Sequence, residues 1–275
     1  MMQSAFKHIV VGVDFSDYSK ILVKQARLLC ELWGTKLVLV YAIHDQVEYM
    51  STMYAGFPNL LSEKDYQKRL RKTYEVKDIS TQIVARHGLP SVLIQETALR
   101  FPDSMMMIGH KGQSKIESFI FGSTAQALAA NAKTPLWIHR GSKVVRPQKV
   151  LIPHDLSLES NRSIDVIEKL SLAMPVSYEV FYVKKKPFPI LNFKTDIQKG
   201  RQIIEKTKER VDNFLKDYPQ VPFVTASGKV TSKIAKRSEK FDLLLMTHHN
   251  TTGIFSKSET ENLLDKVKTP LLILC

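Results

Sequence analysis

KHIVVGVDFS, residues 7–16, returns in kind as QKVLIPHDLS, residues 148–157. Each is a short apolar run ending in Asp-x-Ser, with Asp14 matching Asp155 and Ser16 matching Ser157. The match extends along the chain. A second apolar run ends at Tyr41, 27 residues after Asp14, and another at Tyr182, 27 residues after Asp155. Gly88 follows Asp14 by 74 residues and Gly228 follows Asp155 by 73. TPLWIH (134–139) and TPLLIL (269–274) close the two halves. Landmarks at near-constant offset mark an internal repeat. The boundary is expected in RGSKVVRPQ (140–148), which carries Gly and Pro and no periodicity, giving domains of 1–145 and 146–275.

Within each half, apolar runs alternate with helical patterns. The first half predicts strands at 8–13, 36–43, 81–86, 104–109 and 134–139, with helices at 16–33, 62–77, 90–101 and 122–133. Ser16 is placed to cap the first helix and Gly34 to stop it. The second half predicts strands at 149–153, 177–183, 221–226, 242–247 and 270–274. Its helices are expected near 157–172, 196–216, 229–240 and 258–268. The strands are continuously apolar, which a parallel sheet covered on both faces requires. Strand–helix alternation then gives a doubly wound α/β fold.

Composition sets limits on function. Mean hydropathy is −0.14 and no apolar run reaches the ~18–20 residues that cross a bilayer. MMQSAFKHIVVGV has no small-residue cleavage pattern, so no secretory leader is expected. Two cysteines, Cys30 and Cys275, build no disulfide or metal framework and fit a reducing, cytoplasmic setting. The net charge of +13 is spread over both halves: +6 over residues 1–145 and +7 over 146–275. Lys184-Lys185-Lys186 is the sharp basic run. Evenly spread charge describes a solvated basic surface with affinity for anions rather than a specific nucleic-acid site.

In open α/β sheets, ligands bind beyond the carboxyl ends of the strands. Asp14 and Tyr41-Ala42 end two strands there. Gly109 ends a third and opens GHKGQSKIESFIFGST (109–124), with glycines as Gly-x2-Gly-x9-Gly-Ser-Thr. Glycine admits close approach of a ligand to the backbone. Gly122, Ser123 and Thr124 open a helix whose N–H groups and dipole favour an anion, and Lys111 and Lys115 add positive charge. The Walker loop and the dinucleotide GxGxxG pattern are both missing from the sequence.

This spacing resembles the universal stress protein family in its tandem two-domain form, over nearly the whole chain. The resemblance implies a sheet order of 3-2-1-4-5 in each domain, with the two domains paired through their last strands, residues 135–140 against 270–274, as a pseudo-dimer. It implies ATP, with or without Mg, as the ligand of the first domain. Asp14 and the backbone at Gly12 and Val13 would meet the nucleoside, Ala42 would frame the adenine, and Gly109 would lie by the ribose. Lys111, Gly112, Gly122, Ser123 and Thr124 would hold the phosphates. An unknown protein partner and a homodimer also follow as expectations. Asp14 has a plain alternative as a helix-capping acid.

The second half departs from the pattern. Thr247-His248-His249-Asn250 stand where the first half has Gly109-His110-Lys111-Gly112, and Lys257-Ser258-Glu259 replace Gly122-Ser123-Thr124. No nucleotide is expected there. His154, His248 and His249 are low-ranking metal candidates beside Asp155. VEYMSTMYAGF (47–57) is read as a short helix packed over the sheet, with a mobile lid or a partner-binding surface as the alternative, and KKKPFPILNF (184–193) as an ordered connection, with contact to a membrane surface or a partner as the alternative. No nucleophile–base pair is visible, although Gln113 and Glu117 keep slow ATP hydrolysis open. The expected function is nucleotide-dependent regulation in a stress response. Its rivals are an interaction module whose clefts hold no nucleotide, or another small ligand such as a lipid or metabolite, and a weak ATPase.

Overall fold

The structure is a computed structural model and describes residues 5–43, 61–110, 122–184, 193–247 and 262–275. Ten strands form one sheet. In chain order the elements of the first half are β1 (His8–Gly12), α1 (Asp17–Trp33), β2 (Lys36–Ile43), α2 (Glu63–Thr73), β3 (Gln82–His87), α3 (Pro90–Leu99), β4 (Ser104–Gly109), α4 (Ser123–Asn131) and β5 (Leu136–His139). The second half contributes β6 (Lys149–Pro153), α5 (Leu158–Ala173), β7 (Ser177–Lys184), α6 (Phe193–Asp217), β8 (Phe223–Ser227), α7 (Val230–Ser238), β9 (Leu243–Thr247) and β10 (Leu271–Leu274). Of the helix expected over 258–268, residues 258–261 lie outside the described residues, 262–264 are helical and the chain turns at 265–266; segment 47–57 and residues 185–192 also lie outside the described residues.

Strand order across the sheet is β3-β2-β1-β4-β5-β10-β9-β6-β7-β8. Each half is therefore a parallel 3-2-1-4-5 sheet. The two join where β5 and β10 run antiparallel, with Leu271 opposite Ile138, Leu272 opposite Trp137 and Ile273 opposite Leu136. Both edges of the combined sheet, β3 and β8, carry half-exposed and exposed residues, while β4 and β9 are almost fully buried.

Alternate residues of each apolar strand feed two cores. Ile9 and Val11 point into one layer and Val10 into the other; Met105 and Met107 oppose Met106 and Ile108 in the same way. This is why the strands read as unbroken apolar runs. Ser16 caps α1 by accepting from the Ser19 N–H, and Gly34 closes it in the left-handed conformation at φ 65°, its N–H reaching the Cys30 carbonyl. Ser62 and Asp65 form a capping box on α2. That helix ends at Thr73 rather than the expected 77, because Glu75 takes φ 49° and turns the chain.

The stretch 140–148 is tied down. Buried Gln25 donates from Nε2 to the Val145 carbonyl at 2.8 Å and accepts the Val145 N–H at 2.6 Å. Across the seam, the buried Arg140 guanidinium donates to the Leu264 carbonyl. The Cys275 thiol reaches the Thr134 carbonyl at 3.5 Å.

Candidate functional site

A cavity of about 460 Å³ opens at the carboxyl ends of β1, β2 and β4. Gly12, Val13, Asp14, Ala42, Gly109, Gly122, Ser123 and Thr124 all line it. They come from three strand ends and the first turn of α4, so parallel pairing of β2-β1-β4 is what brings them together. Lys111 and Gly112 lie outside the described residues, as do Gln113, Lys115 and Glu117.

Gly12 is where the backbone must be bare. A Cβ there would sit 2.4 Å from Ile94 Cδ1, 3.2 Å from Ile94 Cγ1 and 3.5 Å from Ile108 Cγ2. Ile94 belongs to α3, which also supplies Pro90 at its first position to the cavity wall, preceded by Leu89. The chain enters α3 through Gly88 at φ 137°, a conformation that side chains resist, and Gly228 repeats it at φ 139°.

Asp14 holds the turn that leads into α1. Its Oδ1 accepts the Ser16 hydroxyl and the Ser19 hydroxyl, both at 2.6 Å, and the Ser16 N–H at 3.1 Å. The capping alternative is thus part of its role, and the same carboxylate lines the cavity. Phe15 follows at φ 61°, with its N–H donating to the Tyr74 hydroxyl at 3.1 Å and the Arg69 guanidinium 4.6 Å above its ring. Burial raises the Tyr74 phenol to about 12.

The anion-facing end is α4. Its cap, Gly122, has ordinary extended angles (φ −62°, ψ 150°) and, being glycine, brings no side chain to the first-turn N–H groups. A helix start of this kind suits an anion. The Gly122 N–H donates to the His110 carbonyl at 3.1 Å, and the His110 N–H to the His139 carbonyl at 3.2 Å. The half-buried Tyr18 places its hydroxyl 2.9 Å from His110 Nδ1 and 3.0 Å from the His139 carbonyl. His139 is fully buried, and burial depresses its pKa to about 4. Arg140 beside it is pulled down to about 10, again by burial.

Sequence reasoning missed Tyr18, Leu22, Ile94 and Ile108 as cavity walls. Leu22, Ile94 and Ile108 read as core residues, which they also are.

The second half repeats the turn and changes the cleft. Asp155 Oδ1 accepts the Ser157 and Ser160 hydroxyls at 2.5 and 2.7 Å, and Leu156 stands at φ 62°. Pro153 and His154 occupy the places of Gly12 and Val13. His154 Nδ1 accepts the Leu156 N–H at 3.0 Å, which takes up one of its two nitrogens. Thr247, at the place of Gly109, lies 2.8 Å from the Ser163 hydroxyl. His248 and His249 lie outside the described residues. Among the described residues there is no group of three His, Cys, Asp or Glu poised to hold a metal.

Residues 5–140 match the model of the universal stress protein family, and this half of the chain is a domain of that family. It is 22% identical over 147 residues to a universal stress protein of Methanocaldococcus jannaschii, covering 51% of this chain and 86% of that protein. The fold as a whole is similar to that of a functionally unknown Pseudomonas aeruginosa PAO1 protein, with a TM-score of 0.71 at 14% identity, covering 98% of this chain and 92% of the other. It is also similar to a universal stress protein of Archaeoglobus fulgidus DSM 4304, with a TM-score of 0.64 at 15% identity over 99% and 98% of the two chains. No helix among the described residues is long and apolar enough to cross a membrane.

Proposed function

We propose that this chain binds an adenine nucleotide, ATP in the first place, in the cavity of a first domain spanning residues 1–145, and that it acts as a nucleotide-dependent regulator in the cytoplasm rather than as an efficient enzyme. The observation that carries this reading is convergence. Eight residues expected from the strand ends, the glycine pattern and the family resemblance, scattered from Gly12 to Thr124, line one cavity of about 460 Å³. That volume falls in the range of roughly 300–1,000 Å³ typical of small-molecule sites.

The chemistry of the walls supports a nucleotide. One side is apolar and narrow: Ala42, Ile94 and Ile108 beside the bare backbone of Gly12 suit a flat base. Another part of the lining offers the N-terminus of α4, capped by Gly122, with the Ser123 and Thr124 hydroxyls, which suit phosphate oxygens and any magnesium they carry. Asp14 offers an acceptor for the sugar hydroxyls. Residues 146–275 form in this reading a second domain that pairs with the first and binds no nucleotide. Pro153 and Thr247 support that, because they put side chains where the first half has Gly12 and Gly109, and Thr247 is engaged by Ser163.

Gly122→Val tests the assignment cleanly. Gly122 has backbone angles that any residue adopts, so the fold should survive. ATP binding followed by calorimetry should be lost while the melting temperature holds. Binding that persists would remove α4 from the site.

A further inference from the structure

We propose that Tyr18 is a positioning residue for the phosphate end of the cavity, holding the His110–Gly122 junction in place through the His110 ring and the end of β5. This inference rests on the nucleotide reading above for its ligand, but its geometry is independent of it.

The junction is where β4 hands over to α4. His110 donates its N–H to the His139 carbonyl and accepts the Gly122 N–H on its own carbonyl. It therefore links the cap of α4 to the last residue of β5. That strand end is anchored: β5 pairs with β10, and the next residue, Arg140, donates across the seam to Leu264. Tyr18, on the first turn of α1, ties the His110 side chain to the same anchor. Its ring meets the imidazole edge-on, with centroids 5.1 Å apart and planes at 82°.

The proton count fixes how. A phenol has one proton, and a carbonyl can only accept. The Tyr18 O–H therefore serves the His139 carbonyl at 3.0 Å, and the 2.9 Å contact to His110 is a donation from Nδ1–H to the phenol oxygen. His110 Nδ1 also lies 3.3 Å from the His139 carbonyl, a second acceptor, which again calls for a proton on Nδ1. Partial desolvation raises the Tyr18 phenol, which stays protonated and neutral at working pH.

The comparison between halves separates this network from scaffold. The Asp-x-Ser turn and its serine at the third helical position occur twice, as Asp14, Ser16 and Ser19 and as Asp155, Ser157 and Ser160. Tyr18 does not recur. Its counterpart is Glu159, which is exposed, and the counterpart of His139 is Leu274. Among the described residues, the phenol network occurs only in the half that carries the glycine pattern.

Tyr18→Phe removes one oxygen and keeps the ring. ATP affinity, measured by calorimetry, should fall about 3- to 10-fold, the worth of one net hydrogen bond, while adenosine, which lacks phosphate, should change less than about 2-fold. Two readouts need no ligand. Histidine ¹⁵N NMR should place the proton of His110 on Nδ1 in the wild type and move it towards Nε2 in the variant. Exchange of the Gly122 amide should speed up about 3- to 10-fold, while the Val13 amide, bonded to the Val40 carbonyl, should not change. His110→Asn keeps an N–H near the Nδ1 position and should retain most of the ATP affinity. Unchanged ATP affinity in Tyr18→Phe, an equal loss for adenosine, or a wild-type His110 protonated on Nε2 would each overturn the proposal. A wild type that binds neither ligand would sink the nucleotide reading alone, and the NMR and exchange data would then decide the role of Tyr18.

Discussion

A methyl group placed on Gly12 meets Ile94 Cδ1 at 2.4 Å and Cγ1 at 3.2 Å. Real contacts do not reach the first distance, so Ile94 must move. Ile94 is 3% exposed and packed against Val10, Ala98 and Ile108 on the core side, so the Cδ1 methyl has room only towards the cavity it already lines. Gly12→Ala should therefore spend its strain in two places. Overpacking of this size costs about 1–3 kcal/mol. If half of that remains in the free protein, the melting temperature drops by about 2–5 °C. The rest appears on binding, because the displaced methyl stands in the apolar end of the site. A penalty of about 1.4 kcal/mol there weakens ATP tenfold. Calorimetric titration and thermal melts of Gly12→Ala measure both parts. Ile94→Val deletes the offending Cδ1 at a cost of about 0.5–1.5 kcal/mol on its own. The double variant should then recover most of the Gly12→Ala loss, with a coupling of about 1 kcal/mol or more in a double-mutant cycle. A Gly12→Ala protein with unchanged stability and unchanged ATP affinity would refute the packing argument.

Two further outcomes follow from the same geometry. Asp14→Asn keeps an acceptor for Ser16 and Ser19 and should cost under about 1 kcal/mol in urea unfolding, whereas Asp14→Ala strands both hydroxyls and the Ser16 N–H and should cost about 2–4 kcal/mol; equal behaviour of the two would remove the carboxylate from the turn. His139 has a folded pKa of about 4, below the ~6.5 of an unfolded histidine, because burial penalises its charged form and nearby His110 adds to the effect. The unfolded chain then binds a proton that the native chain refuses, so stability falls as pH drops through about 6.5 and the full loss, of order 3 kcal/mol, is reached near pH 4. His139→Leu, the residue the second half uses at this place, should flatten that acid limb; a stability–pH curve identical to wild type would contradict it.

Much of the architecture is legible in the residues because the two periodicities do not compete. The unbroken runs at 8–12, 36–43 and 104–109 need burial on both faces, and only a covered parallel sheet supplies it. The seam follows from the family resemblance, and the repeat is consistent with it, since two copies ending in Thr-Pro and an apolar strand present equal edges to each other. The early end of α2 was not legible: Glu75 enters the left-handed region with no glycine or proline to announce it. The site is readable where glycine marks it and silent where ordinary residues build it. Ile94 looks like any core isoleucine, and its role depends on where α3 lies over β1. Tyr18 sits in the first turn of an amphipathic helix, and nothing in its neighbours in sequence points to His110, 92 residues away.

The central claim is one nucleotide per chain, held in the first half. Calorimetric titration of the purified full chain with ATP and magnesium, after small molecules released on denaturation have been identified by mass spectrometry, measures it directly. A stoichiometry of one, lost in Gly122→Val and retained in a His154→Ala control, is the predicted result. Two nucleotides per chain, or none in a folded protein, would contradict it.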